Sequence, residues 1–435
     1  MKAREAAAKA LLACEKNGAW SDAYLNGLFR REETDRREAA LAYRICAGVL
    51  QNREACDWYL QPYVKTKLQP AIRAVLRCAV YQLVFMDRIP ASAAVNEAVE
   101  LSKRLGNPAA AKVTNAILRR LTASPLPPLP AGDDPESLSL RFSHPRAWVD
   151  RFLPRLGAEK TRAMLELNNR PAPVCFRVNL LRSTPQEAAA ALRDEGAVVK
   201  ESCMEGFLEA ENPGELTALR AFREGLVTVQ DPAASLPAFA AGPRPGMRAL
   251  DCCAAPGGKS FLLAQLMQNR GQIVSCDLHA NKLPRIEEGA RRLGIGCIRT
   301  KAADASAPAK EHLEAFDLVL ADVPCSGLGV IRKKPEIRYK TPEQAAALPP
   351  VQLSVLEGAA ACVKPGGILV YSTCTLLTEE NENVVRDFLS RHSEFQKEPF
   401  LLPEPFGAVE EGERTVWPFE FETDGFYLCR MKKSM

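Results

Sequence analysis

Long hydrophobic runs are missing from this sequence of 435 residues, of which 47% are hydrophobic and 25% are charged. No segment approaches the ~20 consecutive apolar residues of a transmembrane helix, so we expect no membrane span. The start of the chain mixes alanine with charged side chains and has no apolar signal core. We therefore expect a cytoplasmic protein.

Histidine is scarce, and the cysteines follow no metal-binding pattern. The chain has four histidines and fourteen cysteines, and it contains no Cys-x-x-Cys motif. Because zinc sites need His and Cys ligands at short, regular spacings, we expect no metal. Scattered cysteines without an export signal indicate reduced thiols.

The net charge of +4 is unevenly distributed. Residues 1–125 contain 20 Lys and Arg against 12 Asp and Glu, whereas the remainder has an acidic excess. Such asymmetry favours a polyanionic partner, and a solvated helical surface is the alternative from charge alone. Nothing in the sequence predicts a stable protein partner.

The chain is too long for one core, which stops growing at about 250–300 residues. Five prolines within residues 124–135 predict a semi-rigid linker. Helical periodicity precedes them at 5–16, 37–59, 69–86, 93–105 and 109–121. The predicted domains are a helical domain at 1–124, a linker at 125–137, a small α+β domain at 138–224 and a catalytic domain at 225–435.

The patterns beyond the linker change from mixed to regularly alternating. Residues 138–224 combine helices at 147–156, 159–168 and 185–195 with a strand at 174–179. Residues 225–435 alternate strands and helices, which predicts a parallel sheet with helices on both faces. The expected strands are 248–251, 272–277, 297–300, 316–321 and 367–373. The fold class is therefore multi-domain: all-α, then small α+β, then Rossmann-like α/β.

A loop of small residues, LDCCAAPGGK at 250–259, joins the first of these strands to a helix that opens near Ser260. Its glycines allow the backbone to approach a ligand, and the helix start offers free N–H groups. One such loop alone can be a plain structural turn. The Gly-x-Gly-x-x-Gly spacing of dinucleotide-binding proteins is absent.

Aspartates stand at the ends of three further strands: Asp277 ends the second, Asp304 lies beyond the third and Asp322 follows the fourth. Carboxyl ends of strands line the ligand crevice of an open parallel sheet. Asp277 suits ribose hydroxyls, and Asp304 can accept from an adenine amino group. Each aspartate alone is more often a cap or turn residue. Together with the loop, they predict an adenosyl cofactor.

Two cysteines fall at strand ends beside the same crevice. Cys325 lies in DVPCSG at 322–327, and Cys374 lies in YSTC at 371–374. A lone cysteine is more often a small buried hydrophobic residue. Two convergent thiols beside an acid favour covalent catalysis instead.

Methylation of cytosine at carbon 5 requires chemistry of this kind. Carbon 5 is too weak a nucleophile to attack a methyl sulfonium, and thiolate addition at carbon 6 makes it enamine-like. An acid near ring nitrogen 3 assists, and the proton on carbon 5 must leave afterwards. Asp322 and the second cysteine are candidates for these proton transfers.

At these motifs the sequence resembles the Sun family of RNA cytosine-5 methyltransferases. The resemblance runs essentially end to end, and its motifs are LDCCAAPGGK at 250–259, ADVPCSGLG at 321–329 and YSTC at 371–374, with GLVTVQDPAAS at 225–235 leading in and DGFY at 424–427 closing. The segments 95–103 and 113–121 are similar to the NusB-type RNA-binding domain. Ser260 stands where the family commonly has threonine, and Lys282 where it usually has arginine.

The resemblance implies an S-adenosyl-L-methionine-dependent enzyme that acts on ribosomal RNA of the small subunit. It implies that Cys374 is the nucleophile and that Cys325 helps to release the methylated RNA. The cofactor-binding residues that it implies are Cys253, Ala254, Ala255, Pro256, Gly257, Gly258, Lys259, Asp277, Asp304 and Asp322. It also turns the basic charge of the helical domain into an expected RNA surface.

A basic segment, RKKPEIRYK at 332–340, follows the proline-cysteine motif. With an aromatic among its cations, it can grip phosphates and stack a base, and a solvated charged loop is the alternative. In either case the target base must be unstacked or already single-stranded to reach a cysteine in a crevice.

Three other functions are weighed against this one. A DNA cytosine methyltransferase would use the proline-cysteine thiol as its nucleophile, and residues 382–384 superficially resemble an acid motif of that class, but they follow Cys374. A non-catalytic RNA-binding or transcription factor would not need the loop, the acids and both cysteines. A nicotinamide dehydrogenase is disfavoured by the glycine spacing.

Overall fold

The computed structural model describes residues 1–32, 34–87, 89–211 and 213–435. The chain divides into two compact units: unit 1 is Met1–Arg170 with Lys334–Tyr339, and unit 2 is Pro171–Lys333 with Lys340–Met435. Within the described ranges, no helix is both long and apolar enough to cross a membrane.

Unit 1 is helical. Its helices are α1 (Ala3–Asn17), α2 (Ser21–Arg31), α3 (Arg36–Gln51), α4 (Arg53–Leu60), α5 (Pro70–Phe85), α6 (Ala91–Leu105), α7 (Pro108–Thr122), α8 (Pro135–Phe142) and α9 (Arg146–Leu167). Side-chain caps start some of them: Asp35 accepts from backbone N–H groups at the start of α3, and Asn107 caps α7 beside Pro108. In the core, Gly48 of α3 lets Tyr81 of α5 approach closely, since a Cβ there would lie 1.9 Å from the ring.

Most helices predicted for the first 124 residues are confirmed, with two differences. The predicted helix at 37–59 is two helices, because Asn52 leaves helical geometry with φ −127° and ψ 25°. Helix α2 was not predicted. The predicted helices at 147–156 and 159–168 form α9, which is broken at Gly157, where φ is 75°.

The basic segment after the proline-cysteine motif contributes Lys334–Tyr339 to unit 1. The guanidinium of Arg338 is fully buried and donates to the carbonyls of Gln51 and Ser143 and to the side chain of Asn169. The hydroxyl of Tyr339 donates to the carbonyl of Leu50 at 2.7 Å. A phosphate grip and a solvated loop are therefore both wrong for these two side chains, because their polar groups bond within the unit.

Unit 2 begins with a small α+β fold. Its elements are β1 (Val174–Val178), α10 (Pro185–Asp194), β2 (Val198–Glu201), β3 (Phe207–Glu211), α11 (Arg220–Arg223) and β4 (Val227–Val229). The strands pair antiparallel in the order β2-β3-β1-β4. Helix α9, which the sequence prediction placed with this fold, clusters with the N-terminal helices, as does α8, which was not predicted. The domain boundaries given above remain predictions.

The remainder of unit 2 is an α/β fold. Its elements are α12 (Pro232–Ala241), β5 (Arg248–Asp251), α13 (Gly258–Leu266), β6 (Gln272–Asp277), α14 (Leu283–Leu293), β7 (Ile298–Ala302), β8 (Phe316–Asp322), α15 (Pro342–Ala346), α16 (Pro349–Ala361), β9 (Val363–Thr373), α17 (Glu382–Arg391), β10 (Phe395–Lys397), β11 (Phe400–Leu401), β12 (Ala408–Val409), β13 (Glu413–Val416), α18 (Pro418–Phe421) and β14 (Phe426–Lys433).

The main sheet has the strand order β10-β14-β9-β8-β5-β6-β7, and β13 also pairs with β14. The five strands from β9 to β7 are parallel, as predicted. The expectation of an all-parallel sheet is wrong at one side, where β14 runs antiparallel to β9, β10 and β13. The link from β13 to β14 spans only residues 417–425, which is too short for the crossover that a parallel neighbour needs.

Candidate active site

The loop between β5 and α13 is shaped by glycine. Gly257 has φ 109°, and a Cβ there would lie 2.4 Å from the Phe261 ring. Backbone bonds hold the loop against the sheet, with the Ala254 N–H donating to the carbonyl of Cys276 at 2.7 Å. Because Cys253, Pro256 and Gly258 remain at least partly exposed, the loop presents backbone to a ligand.

A buried carboxyl supports this loop from below. Asp251, at the end of β5, accepts a hydrogen bond from the hydroxyl of Ser260 at 2.6 Å, and Ser275 donates to Ser260 at 2.7 Å. Burial raises the pKa of Asp251 to about 6. The serine at 260 therefore has a structural role in joining strands and helix.

The aspartates of β6 and β7 lie at the same edge of the sheet. Asp277 is buried and accepts from the backbone N–H of His279 at 2.9 Å, with Lys282 Nζ 3.2 Å away. Asp304 is exposed and accepts from Ser306, whose hydrogen bonds lower the pKa of the carboxyl. A small cavity beside Asp304 is lined by Leu250, Cys252, Cys276, Ala305 and Pro308, among others. The carboxylate of Asp304 therefore lies beside the apolar side chains that line the cavity.

Asp322, at the end of β8, is tied to the loop. Its Oδ2 lies 2.5 Å from Lys259 Nζ, and its Oδ1 accepts from Ser372 at 2.8 Å. Burial acts to lower the pKa of Lys259, but the charge and the hydrogen bond of Asp322, together with the charge of Asp251, outweigh it and the pKa is raised. A protonated lysine and a carboxylate therefore face each other next to the strand ends.

The two cysteines predicted to converge do so. Because β8 and β9 are neighbours in the sheet, the Sγ atoms of Cys325 and Cys374 lie 3.2 Å apart, and both side chains are partly exposed. Hydrogen bonding with Cys374, followed by burial, raises the pKa of the Cys325 thiol. Both effects favour the protonated form of Cys325.

Two residues that the sequence did not single out bond to both cysteine loops. Glu380 and Asn381 lie buried in the turn between β9 and α17. Glu380 accepts from the backbone N–H of Ser326, and Asn381 bonds on either side of Cys374. The only signal in the sequence is a pair of polar residues shortly after YSTC, which is unremarkable in a loop.

The other basic side chains near the cysteines bond within unit 2. Lys333 Nζ lies 2.6 Å from Asp231 Oδ2 and 2.9 Å from Asp424 Oδ2. Arg332 donates to the carbonyls of Pro171 and Glu422, and Lys340 to the carbonyl of Ser326. These cations hold the loop in place. The arrangement differs from both a phosphate grip and a solvated charged loop, the two interpretations of the segment. Among the residues that the structure describes, no group of His, Cys, Asp and Glu could hold a metal ion.

Comparison with known proteins decides the family. The family described as 16S rRNA methyltransferase RsmB/F matches residues 238–432. A relative from Bacillus subtilis (strain 168), named "Probable ribosomal RNA small subunit methyltransferase B", is 35% identical, and the alignment covers 99% of this chain and 98% of the relative. The chain belongs to the RsmB/F family.

As a member of this family, the chain is an S-adenosylmethionine-dependent methyltransferase. The NusB family matches residues 1–123, and the ferredoxin-like domain of RsmF/B-like methyltransferases matches residues 144–209. The predicted fold class is thereby confirmed, with a helical NusB-like part, a small α+β part and a methyltransferase fold.

Solved structures agree. The crystal structure of PH0851 is 28% identical with a TM-score of 0.83, covering 99% of this chain and 98% of that one. A methyltransferase homolog protein from Pyrococcus horikoshii is 30% identical with a TM-score of 0.58, covering 68% of this chain and 97% of that one. The similarity to PH0851 extends over the full RsmB/F chain.

Proposed function

We propose that the chain methylates carbon 5 of a specific cytosine in small-subunit ribosomal RNA through a covalent cysteine adduct. The observation that carries the proposal is the pair of sulfurs 3.2 Å apart, beside the ion pair of Asp322 and Lys259. Two thiols and an acid at one strand edge match the steps that a weakly nucleophilic carbon 5 requires.

Cys374 acts as the nucleophile. Its sulfur forms a bond to carbon 6, and the electron pair of the carbon 5–carbon 6 double bond moves toward nitrogen 3, which takes up a proton. Asp322 lies at the strand end next to Cys374 and is placed to relay a proton to nitrogen 3 from Lys259, whose Nζ is 2.5 Å from its Oδ2. Carbon 5 then carries enamine character.

Cys325 completes the reaction. After methyl transfer, carbon 5 bears both the new methyl group and its original proton. A base takes that proton, the carbon–hydrogen electrons restore the carbon 5–carbon 6 double bond, and the carbon 6–sulfur bond breaks with its pair returning to Cys374. Nitrogen 3 then gives up the proton that it had acquired. With Cys325 Sγ 3.2 Å from Cys374 Sγ, it is placed to assist this departure.

S-adenosyl-L-methionine supplies an electrophilic methyl group on a sulfonium. The residues that would hold it are Cys253, Ala254, Ala255, Pro256, Gly257, Gly258, Lys259, Asp277, Asp304 and Asp322. They fit the group, because Cys253, Pro256 and Gly258 of the loop are at least partly exposed and a small, mainly apolar cavity adjoins Asp304. Asp277 is buried at a strand end, where it can accept from ribose hydroxyls.

The test compares single cysteine variants on unmethylated small-subunit ribosomal RNA with radiolabelled cofactor. Cys374→Ser should abolish transfer, whereas Cys325→Ala should accumulate an RNA–protein adduct that survives denaturing electrophoresis. Cys203→Ala, which changes an exposed cysteine away from the pair, is the matched control and should resemble wild type. Bisulfite sequencing of the product locates the cytosine.

Other outcomes would support other functions. If Cys325→Ala prevented the adduct and Cys374→Ala did not, the roles would be those of a DNA-type cytosine methyltransferase. If no cytosine acquired label although the RNA bound, the chain would be an RNA-binding factor.

A further inference from the structure

Glu380 is a fully buried carboxylate that bonds to the residue after Cys325 and, through Gln352, is linked to the residue before it. Its Oε2 accepts from the backbone N–H of Ser326 at 2.8 Å and from Nε2 of Gln352 at 2.8 Å. The same Nε2 donates to the carbonyl of Pro324 at 3.0 Å. The residues before and after Cys325 are therefore both held by this one carboxylate, directly or through Gln352.

Asn381, the next residue, does the same for Cys374. Its Oδ1 accepts from the hydroxyl of Thr373 at 2.6 Å, and its Nδ2 donates to the carbonyl of Thr375 at 3.0 Å. Two further hydrogen bonds join these segments. The hydroxyls of Ser326 and Thr375 lie 2.6 Å apart and link the two cysteine loops, and the Tyr371 hydroxyl donates to the carbonyl of Glu380 at 2.6 Å.

We propose that Glu380 and Asn381 are positioning residues that set the separation of the two sulfurs, Glu380 by holding the Cys325 loop and Asn381 by holding the Cys374 loop. The proposal rests on the division of labour between the cysteines given above. Because the two residues are covalently adjacent, one peptide unit fixes the distance between two loops that come from different strands.

Burial energetics argue that Glu380 is there for the site and not for packing. A buried carboxylate costs free energy unless it is fully paired, and an apolar residue of similar volume is often as stable or more so. Among the described residues, Glu380 Oε1 has no hydrogen-bond partner. After the Cys374 hydrogen bond and burial, the charge of Glu380 also contributes to raising the pKa of Cys325. The charge of Glu380 therefore adds to the effects that favour the protonated form of Cys325.

Variants of the two positioning residues should impair different steps of the reaction. Glu380→Ala frees the Cys325 loop, so it should accumulate the covalent RNA adduct, as Cys325→Ala does. Asn381→Ala frees the Cys374 loop, so it should lower both adduct and product, as Cys374 variants do. A displacement of about 1 Å can lower turnover on the order of 10²-fold, and we expect kcat to fall with little change in KM for RNA.

Glu380→Gln removes the charge of the side chain and keeps its shape. It takes the place of Glu380→Ala in the test if that variant does not fold. Glutamine at this position retains a carbonyl acceptor and removes the charge. The rate of adduct resolution should therefore begin to rise at a lower pH than in the wild type. Asp387→Ala, which changes an exposed carboxylate on α17, is the matched control and should leave the profile unchanged. Binding of S-adenosylhomocysteine and the thermal midpoint report that each variant is folded.

Three results would overturn the inference while the cysteine variants behave as proposed. They are wild-type turnover in folded Glu380→Ala, loss of adduct in Glu380→Ala and adduct accumulation in Asn381→Ala. If instead Cys374→Ala retained turnover, the proposed function itself would fail, whatever the behaviour of Glu380 and Asn381.

Discussion

Asp251 is a carboxyl group whose burial is only partly compensated. It accepts one hydrogen bond from Ser260, and its Oδ1 has no partner among the described residues. Burial raises its pKa from 3.8 to about 6, and the nearby Asp322 adds to the shift. Because the folded-state pKa lies above the unfolded one, the folded state binds the proton more tightly, and stability is lost as pH rises from about 4 to 6.

Replacing Asp251 by Asn should therefore stabilise the protein at high pH. The full effect of the shift is about 3 kcal/mol at 1.36 kcal/mol per pKa unit, and roughly half of it develops between pH 5 and 8. Denaturant unfolding of wild type and Asp251→Asn at both pH values measures the difference. A gain that is equal at the two pH values would show that the charge of Asp251 is not its source.

Lys333 neutralises two acidic side chains at once. Burial and then the charge of Asp231 raise the pKa of Asp424, Lys333 opposes both effects, and the resulting pKa is about 7. The lysine therefore keeps two neighbouring carboxylates compatible at neutral pH.

Lys333→Met should lower the free energy of unfolding by about 2 kcal/mol at pH 8. This loss is smaller than the ~3–5 kcal/mol typical of a broken buried pair, because Lys333 is partly exposed. The loss should shrink at pH 5, where one carboxyl becomes protonated. Adding Asp424→Asn should restore part of the stability. A pH-independent loss would mean that packing, and not charge, dominates at Lys333.

At the scale of elements, the turn from β5 to α13 depends on backbone that other residues cannot adopt. Gly257 combines a left-handed φ of 109° with a close approach to Phe261. Gly246, in the turn before β5, has a similar φ of 91°, but a Cβ added there would meet no atom within 4 Å. The two glycines share a left-handed φ, but only Gly257 lies in the loop between β5 and α13 and only there would added atoms collide.

Gly257→Ala should weaken the binding of S-adenosylhomocysteine at least about 10-fold, which corresponds to 1.4 kcal/mol. Gly246→Ala should destabilise by about 1–2 kcal/mol through the left-handed conformation and leave affinity unchanged. Isothermal titration with both variants tests this. Equal affinities would place the cofactor away from the loop.

At the scale of the whole molecule, charge is divided between the parts of the chain. The excess of basic residues lies in the first 125 positions, where Lys65, Lys67 and Arg73 are exposed. A basic surface of this kind binds RNA by releasing counterions, with a salt dependence that reports the number of phosphates neutralised.

Replacing Lys65, Lys67 and Arg73 together by alanine should reduce the slope of log affinity against log salt by about 2, at roughly 0.7 per contact with single-stranded RNA. The matched control replaces the exposed Lys310 and Arg386 of unit 2, and its slope should equal that of wild type. Filter binding to small-subunit ribosomal RNA at several salt concentrations measures both. An unchanged slope in the triple variant would place the RNA elsewhere on the protein.

Local sequence patterns were sufficient to predict most helices and strands and the positions of the motifs on them. Strands β5 and β6 have their predicted bounds, because alternation of apolar runs with Gly-rich turns is a short-range signal. Cys325 and Cys374 were predicted to share one edge, since carboxyl ends of parallel strands meet there.

Only the tertiary structure decided what surrounds those motifs. The antiparallel β14, the burial of Arg338 and the bonds from Glu380 to the Cys325 loop depend on residues far apart in the chain, as does the 3.2 Å between sulfurs that are 49 positions apart. A polar residue in a loop carries the same local pattern whether it is solvated or buried. Its role is set by the long-range packing that removes water and leaves it one set of hydrogen-bond partners.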